Sequence, residues 1–269
     1  MLGVSVAGVA VVASLVGACG LAPEKFTDDA GVGQTIRSVR VGTESGSVKI
    51  RTGSSTSVHR DVSYASTRPG PTHHVEGDVL VLGGCEVRNC WVDYEVVVPE
   101  GVSVSGDVDS GSVDVEGAST VNLRASSGRV AVRRASGAVN VVADSGSVDL
   151  VDVKGKVAVE ASSGDVSVRD IGGDATLRAQ SGTVEAQGVS GSTNAEASSG
   201  SITVRLAKVG GVHANADSGS VNVIVPKGDY RVTAHADSGD VDNAIGDHLD
   251  SPNHLDLAAG SGDITIRFG

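Results

Sequence analysis

The chain has 269 residues, a formal net charge of -12, only 2% aromatic residues and three cysteines. The negative charge disfavours nucleic acid and anionic lipid surfaces as partners, because these ligands are bound by basic patches. The few aromatic residues are scattered along the chain, which disfavours a sugar site built on aromatic platforms.

The N-terminal segment predicts export and lipidation. Residues 2–18 are uncharged and mostly apolar, and they end in Leu15-Val-Gly-Ala-Cys19. This pattern is similar to a bacterial lipoprotein signal, which implies a signal peptide over residues 1–18 and a Cys19 that carries diacylglycerol and palmitate. One alternative is an uncleaved transmembrane anchor of minimum length. Because no Lys or Arg precedes the apolar run, a start upstream of Met1 also stays open.

Residues 19–35 are interpreted as the lipidated Cys19 followed by a flexible tether. Residues 22–34 lack a strand pattern and contain Pro23, two aspartates and two glycines. Strand-like alternation begins near Ile36, and no long linker follows. We therefore expect one domain over residues 36–269, with irregular N-terminal coils and a cap over 36–110.

Two further cysteines lie within this N-terminal part of the domain. Cys85 and Cys90 bracket four residues, and such a pair outside the cytoplasm usually forms a disulfide. The alternative is a metal-binding pair, but a second cysteine pair or a histidine at ligand spacing is missing. The sequence therefore predicts a Cys85–Cys90 disulfide, no metal site and no cofactor.

A glycine repeat follows, at Gly111, Gly128, Gly146, Gly164, Gly182 and Gly200, with one spacing of 17 residues and four of 18. Apolar or small residues recur at offsets 2, 4, 7, 11, 13 and 15 from each glycine. Spacing of two is that of a β-strand, and glycine marks the corners. The pattern predicts an all-β, single-stranded parallel β-helix of about 18 residues per coil over residues 111–269. The alternative, a compact β-sandwich, does not readily give fixed spacing with matching columns.

The C-terminal coils are longer than the others. Two residues before successive repeat glycines, aspartate mostly alternates with neutral polar residues, but Asp217 and Asp237 follow one another and break the pattern. The insertion at residues 243–254 is expected to cap the rod or to bind a ligand. The last strand, residues 263–268, is expected to be a free sheet edge at which a partner strand or a second copy adds.

Several segments resemble a known family. Tyr94-Glu-Val-Val-Val-Pro-Glu-Gly-Val-Ser-Val104, Val225-Pro-Lys-Gly-Asp-Tyr-Arg-Val232 and the repeated Ser-Gly-x-Val-x-Val are similar to the bacterial putative-adhesin family of β-strand-repeat envelope lipoproteins of unknown function. The likeness spans residues 36–269. It implies a right-handed parallel β-helix at the cell envelope, and it supplies no catalytic motif.

The acidic residues do not form a catalytic pattern. Asp114, Asp149, Glu185 and Asp242 each lie three residues after a repeat glycine, and they fall on alternate or more distant coils. No pair of carboxylates is therefore predicted at a distance that glycoside chemistry requires. We expect the protein not to be an enzyme. A polysaccharide-acting β-helix enzyme is the remoter alternative, and it would lose activity on substitution of Asp144 or Asp217.

The leading functional hypothesis is a noncatalytic lipoprotein of the bacterial cell envelope, anchored to the membrane through its N-terminal lipid. Its β-solenoid would act as a scaffold that binds an unknown protein or polymer of the envelope or the extracellular space. The alternative is an envelope-stress sensing or regulatory lipoprotein that contacts a membrane protein. The sequence alone does not separate these two.

Overall fold

The computed structural model describes residues 23–269, so the predicted signal peptide over 1–18 and the lipidation of Cys19 lie outside the described residues. The described residues form 25 β-strands in two sheets of 13 and 12 strands. In the regular part each coil contributes one strand to each sheet, and neighbouring coils pair in parallel. The predicted parallel β-helix is confirmed. Residues 23–269 contain no helix with the length and apolarity of a membrane span.

In chain order the strands are β1 (Glu24–Val32), β2 (Ser38–Ser45), β3 (Val48–Thr52), β4 (Thr56–Tyr64), β5 (His73–Glu76), β6 (Val79–Gly83), β7 (Cys90–Val98), β8 (Ser103–Ser110), β9 (Val113–Glu116), β10 (Val121–Ser127), β11 (Val130–Arg133), β12 (Val139–Ser145), β13 (Val148–Val153), β14 (Val157–Ser163), β15 (Val166–Ile171), β16 (Ala175–Ser181), β17 (Val184–Val189), β18 (Thr193–Ser199), β19 (Ile202–Leu206), β20 (Val212–Ser218), β21 (Val221–Val225), β22 (Arg231–Ser238), β23 (Val241–Asn243), β24 (His254–Ser261) and β25 (Ile264–Phe268). Sheet A contains β1, β3, β4, β7 and the odd-numbered strands from β9 to β25. Sheet B contains β2, β5, β6 and the even-numbered strands from β8 to β24.

The core is a set of in-register columns between the two sheets. Val121 pairs with Val139, which pairs with Val157, so one inward slot is filled by valine through three successive coils. Their side chains are buried, as are the other inward residues of these strands. Each buried valine, leucine or isoleucine contributes about 1.5 to 3 kcal/mol. The stacked columns therefore offset the chain entropy of each coil without aromatic residues.

The repeat glycines form the corner between sheet B and sheet A. Gly164 has a φ of +127°, and a Cβ added there would lie 2.0 Å from the carbonyl oxygen of Gly146. Neighbouring corners are equally tight, since an added Cβ at Gly182 would lie 2.2 Å from the oxygen of Gly164. An L side chain is excluded both by the backbone angle and by the backbone of the preceding coil. This requirement explains the glycine periodicity of the sequence.

The first and last coils are placed between other coils rather than at the ends. The β2–β3 coil lies between β6–β7 and β8–β9, and the β24–β25 coil lies between β20–β21 and β22–β23. The prediction that residues 263–268 form a free edge is therefore wrong, because β25 pairs with β21 on one side and with β23 on the other. In space the last coil is formed by β22 and β23, and residues 244–253 lead the chain back across it to β24. The free edges at this end are therefore β22 and β23.

The position of the β24–β25 coil also explains why aspartate occurs at both Asp217 and Asp237, two residues before successive repeat glycines. Ala216 of β20 pairs with Ala259 of β24, which pairs with Ala236 of β22. Gly260 therefore lies between Asp217 and Asp237 in space. Two aspartates on adjacent parallel strands would repel each other, and the inserted coil keeps them apart.

The tether prediction is wrong for residues 24–32, which form β1 and pair antiparallel with β4. Asp28 lies on the side of β1 that faces the fold, where the Arg60 Nε and Nη2 atoms donate to its two carboxylate oxygens at 2.6 Å each. Arg60 is buried, and it also donates to the Thr72 hydroxyl at 2.9 Å. The Arg60 guanidinium holds the pKa of Asp28 below its ordinary value. Because Asp28 is charged although it faces inward, the sequence of residues 24–32 does not show the apolar alternation that indicates a strand.

Cys85 and Cys90 are joined in a disulfide that closes the loop between β6 of sheet B and β7 of sheet A. Tyr94 follows on β7 and is buried, and its hydroxyl donates to the Thr72 carbonyl oxygen at 2.8 Å. Burial raises the pKa of Tyr94 to about 12. The irregular N-terminal end is therefore fixed by a covalent link, a buried hydroxyl and a buried arginine.

Candidate functional site

The four acidic residues that lie three positions after a repeat glycine form a row of separated carboxylates on the outer face of sheet A. Asp114 and Asp149 are separated by Ala131, and Asp149 and Glu185 by Ser167. Arg133 neutralises Asp114 at 2.9 Å, and Arg129 pairs with Asp149. Asp242 lies farther along on β23. The sequence spacing predicted that these carboxylates lie apart, and the structure does not bring them together.

Asp144 and Asp217, the positions named for an enzyme, lie on β12 and β20 of sheet B. Strands β14, β16 and β18 lie between those two strands, so the two carboxylates cannot act on one bond. Within residues 23–269, no three His, Cys, Asp or Glu side chains are placed to hold a metal ion.

The outer face of sheet B carries a groove that crosses strands β12 to β20. It has a volume of about 450 Å³. Five strands at a spacing of about 4.8 Å give it a length of about 19 Å. We call it the sheet B groove, and its lining residues are Val142, Glu160, Ala161, Ser162, Arg178, Ala179, Gln180, Glu196, Ala197, Ser198, Asn215 and Asp217.

Arg178 organises the groove by linking three successive coils. Its Nε atom donates to Glu196 Oε2 at 3.0 Å, and its Nη1 atom lies 3.6 Å from Glu160 Oε1. The hydrogen bond from Arg178 lowers the pKa of Glu196 below its ordinary value, so this carboxylate stays ionised at neutral pH. Exposed ion pairs contribute at most about 1 kcal/mol to stability. Their donors and acceptors therefore remain available to a ligand at little structural expense.

The floor of the groove follows a column of small inward residues. Ala161, Ala179 and Ala197 are buried and stack in register through β14, β16 and β18. The preceding inward residues are the larger Val159 and Leu177 on β14 and β16, and Ala195 on β18. Outward residues on either side of this column complete the lining, with Glu160, Arg178 and Glu196 on one side and Ser162, Gln180 and Ser198 on the other.

A second hollow of about 590 Å³ lies nearby on the same face. Its wall includes Thr176, Asn194, His213 and Asp256, and the His213 Nδ1 atom lies 3.1 Å from Asp256 Oδ2. Together the two depressions present hydroxyl, amide, carboxylate and guanidinium groups along one face of the solenoid. Such a surface can hydrogen-bond to an extended polar ligand.

The sequence analysis did not single out Glu160, Arg178 or Glu196. These residues recur every 18 positions with alternating sign, which is a signal that the sequence contains. The volume of the groove is not such a signal, because it depends on how the side chains of five strands are placed in space.

Residues 94–267 match the family described as Toastrack DUF4097. A putative adhesin of Bacteroides fragilis is similar over 91% of this chain and 97% of its own, with 16% identity and a TM-score of 0.43. A putative adhesin of Parabacteroides distasonis is similar over 91% of this chain and 97% of its own, with 12% identity and a TM-score of 0.34. A putative cell adhesion protein of Clostridium sporogenes is similar over 92% of this chain and 100% of its own, with 11% identity and a TM-score of 0.23. The search of curated proteins found no match to the chain.

Proposed function

The chain belongs to the Toastrack DUF4097 family, and we propose that it is a noncatalytic binding module of the bacterial cell envelope. In this proposal Cys19 carries the lipid anchor, and the solenoid presents its sheet B groove to a polymer or protein segment of the envelope or the extracellular space.

The sheet B groove is the observation that carries the proposal. It is long and shallow, and it is lined by groups that exchange hydrogen bonds rather than by a paired catalytic set. Three carboxylates, those of Glu160, Glu196 and Asp217, face one guanidinium, that of Arg178. This excess of negative charge disfavours a polyanion. We therefore expect an uncharged or cationic ligand rich in hydroxyl or amide groups.

A lipid on Cys19 would fix which end of the solenoid faces the membrane. Residues 20–23 are the whole connection between Cys19 and β1, so the N-terminal cap would lie next to the membrane. The 12 strands of sheet B, spaced by about 4.8 Å, would then carry the other end about 50 Å from the cap. The groove lies between these ends, at a height where envelope polymers are accessible.

The test is a binding measurement with the disulfide-intact chain from Gly20 onward. This chain contains both sheets and all of the core that the described residues form. It is immobilised and exposed to fractionated cell wall, membrane and extracellular polymer, with and without Ca²⁺. We expect saturable binding to the wall or extracellular fraction.

The control is the triple variant Glu160→Ala, Arg178→Ala, Glu196→Ala, which removes three of the four charged groups of the groove and leaves every inward residue in place. We expect it to fold and to lose binding. Saturable capture of a membrane protein would instead favour the regulatory alternative. Absence of binding to every fraction, or unchanged binding by the triple variant, would contradict the role of the groove.

A further inference from the structure

The two ends of the solenoid differ in how they are closed. At the N-terminal end sheet A ends in β1, whose outward residues include Lys25 and Asp29, and sheet B ends in the four-residue β5. Charged residues and short edge strands are devices that prevent edge pairing. At the C-terminal end sheet B finishes with β22, a strand of eight residues with no strand of the described chain beyond it.

The outer edge of β22 has free backbone groups. The Arg231 N–H donates to the Asn253 carbonyl oxygen at 2.9 Å, so the odd-numbered residues of β22 face β24. The intervening residues Val232, Ala234 and Ala236 direct their N–H and C=O groups to the edge. The Val232 N–H donates to Asp247 Oδ1 at 3.0 Å. Among the described residues, the N–H groups of Ala234 and Ala236 have no acceptor.

The core is also uncovered at this end. In β24 the inward Leu255, Leu257 and Ala259 are fully buried, whereas the matching Val232, Ala234 and Ala236 of β22 are only partly buried. Val241 on β23 and Leu249 in the loop over residues 244–253 are 43% and 70% exposed. That loop covers part of the end through the buried Ile245. The capping expected of residues 243–254 is therefore incomplete.

We propose that a second copy of this chain covers this end, with β22 pairing antiparallel to β22 of the other copy about a two-fold axis at Ala234. A two-fold contact uses the same surface on both copies. In this register Ala234 of each copy exchanges both backbone hydrogen bonds with its equivalent, and Val232 lies opposite Ala236. The inward apolar residues of the two copies then form one continuous core.

The outward residues of β22 select this register. Arg231 of one copy lies opposite Asp237 of the other, and this occurs twice in the dimer, while Thr233 lies opposite His235. Shifting the axis to His235 would place two histidines opposite each other and leave Arg231 without an acidic partner. Opposite charges on adjacent strands stabilise pairing and like charges oppose it. The charge pattern of β22 thus favours self-pairing centred on Ala234.

Asp247 regulates access to this edge. Its carboxylate occupies the Val232 N–H, which pairs with the Ala236 carbonyl of the other copy in the dimer. The same loop also bonds to the residue before β22, since the His248 N–H donates to the Tyr230 carbonyl oxygen at 2.8 Å. Dimerisation therefore displaces the loop at Asp247, and Asp247→Ala removes the side-chain competitor.

The inference does not depend on the sheet B groove. If Cys19 carries a lipid anchor, the two anchors lie at opposite ends of the dimer, so the dimer joins copies that extend from two facing membranes.

The first test is sedimentation of the chain from Gly20 onward over a range of concentrations, combined with small-angle X-ray scattering. End-to-end dimers of two rods of about 50 Å have a maximum dimension of about 100 Å. We expect a concentration-dependent dimer of that length, and tighter association for Asp247→Ala. A monomer at all concentrations up to about 0.1 mM, or a dimer no longer than one rod, would overturn the proposal.

Charge exchange tests the register. Arg231→Asp and Asp237→Arg each create two like-charged contacts per dimer, and we expect each variant to self-associate at least about 10-fold more weakly. An equimolar mixture of the two variants restores opposite charges at both positions and should form heterodimers. A mixture that associates no better than either variant alone would overturn the register.

Backbone substitution separates self-pairing from folding. Ala234→Pro removes an N–H group that the solenoid itself does not use, and proline is tolerated at such edge positions. Loss of the two central hydrogen bonds should weaken dimerisation about 10-fold to 30-fold. The matched variant Ala234→Val keeps the N–H group and should dimerise normally. If both variants keep the unfolding midpoint of the parent and both dimerise alike, the proposed pairing is wrong.

Discussion

Replacement of Gly164 by alanine should destabilise the solenoid strongly. The φ of +127° alone costs an alanine about 1 to 3 kcal/mol, because L residues rarely adopt it. The new Cβ would also lie 2.0 Å from the Gly146 carbonyl oxygen, so the two coils must separate at this corner. That separation weakens the bonds from Gly146 N–H to the Ser163 carbonyl and from Val148 N–H to the Asp165 carbonyl, which are 2.9 Å and 3.0 Å long. At about 1 kcal/mol per bond, the total loss is about 4 kcal/mol.

Two other glycines separate the contributions. Gly246 has a φ of +81° but no neighbouring atom within 4 Å of an added Cβ, so Gly246→Ala reports the backbone angle alone. Gly210 has an ordinary φ, and its nearest atom would be 3.7 Å away. Gly210→Ala should be neutral or stabilising by up to about 1 kcal/mol, because it restricts the unfolded chain.

Urea unfolding of the three variants measures these differences. We expect the stability order Gly210→Ala, then Gly246→Ala, then Gly164→Ala, with Gly164→Ala about 2 kcal/mol less stable than Gly246→Ala. If Gly164→Ala unfolds at the same midpoint as Gly210→Ala, close coil contact does not explain the glycine repeat.

Two further predictions concern the N-terminal end. Arg60→Ala removes the charged hydrogen bonds to Asp28, so the amides of β1 should lose about 2 kcal/mol of protection in hydrogen exchange while those of β16 stay unchanged. In the parent protein the pKa of Asp28 is depressed, so this stabilisation is present above the carboxyl's ordinary value of 3.8 and is lost as pH falls through the lowered pKa. Protection of β1 that is the same at neutral and strongly acidic pH would contradict this. Replacing Cys85 and Cys90 by serine opens a short loop and should lower the free energy of unfolding in urea by about 2 kcal/mol relative to the disulfide-intact parent. The reduced parent is the control and should match the variant.

The regular coils were predictable from sequence because each coil repeats the same physical requirement. The corner at Gly164 needs glycine, and the inward slots need apolar residues, so period and strand positions are both written in the chain. The order of the terminal coils was not predictable in this way. The β24–β25 coil has the same pattern as its neighbours, and only the length of residues 244–253 allows it to insert between them.

The remaining errors have a common origin in paired polar residues. Strand β1 was not predicted because Asp28 interrupts its apolar alternation, and the residue that pairs with Asp28, Arg60, is 32 residues away in the chain. The groove was missed for a related reason. Glu160, Arg178 and Glu196 look like ordinary solvent-facing residues until they are seen to line one groove across neighbouring coils.

The most direct test of the binding role compares two single variants of the chain from Gly20 onward. Arg178 lies in the sheet B groove, whereas Arg169 is an exposed arginine on the neighbouring strand β15 of sheet A. The Kd for the wall or extracellular fraction should rise at least about 10-fold with Arg178→Ala and stay within about twofold with Arg169→Ala. Equal effects of the two substitutions, or a larger effect of Arg169→Ala, would contradict the assignment of binding to the sheet B groove.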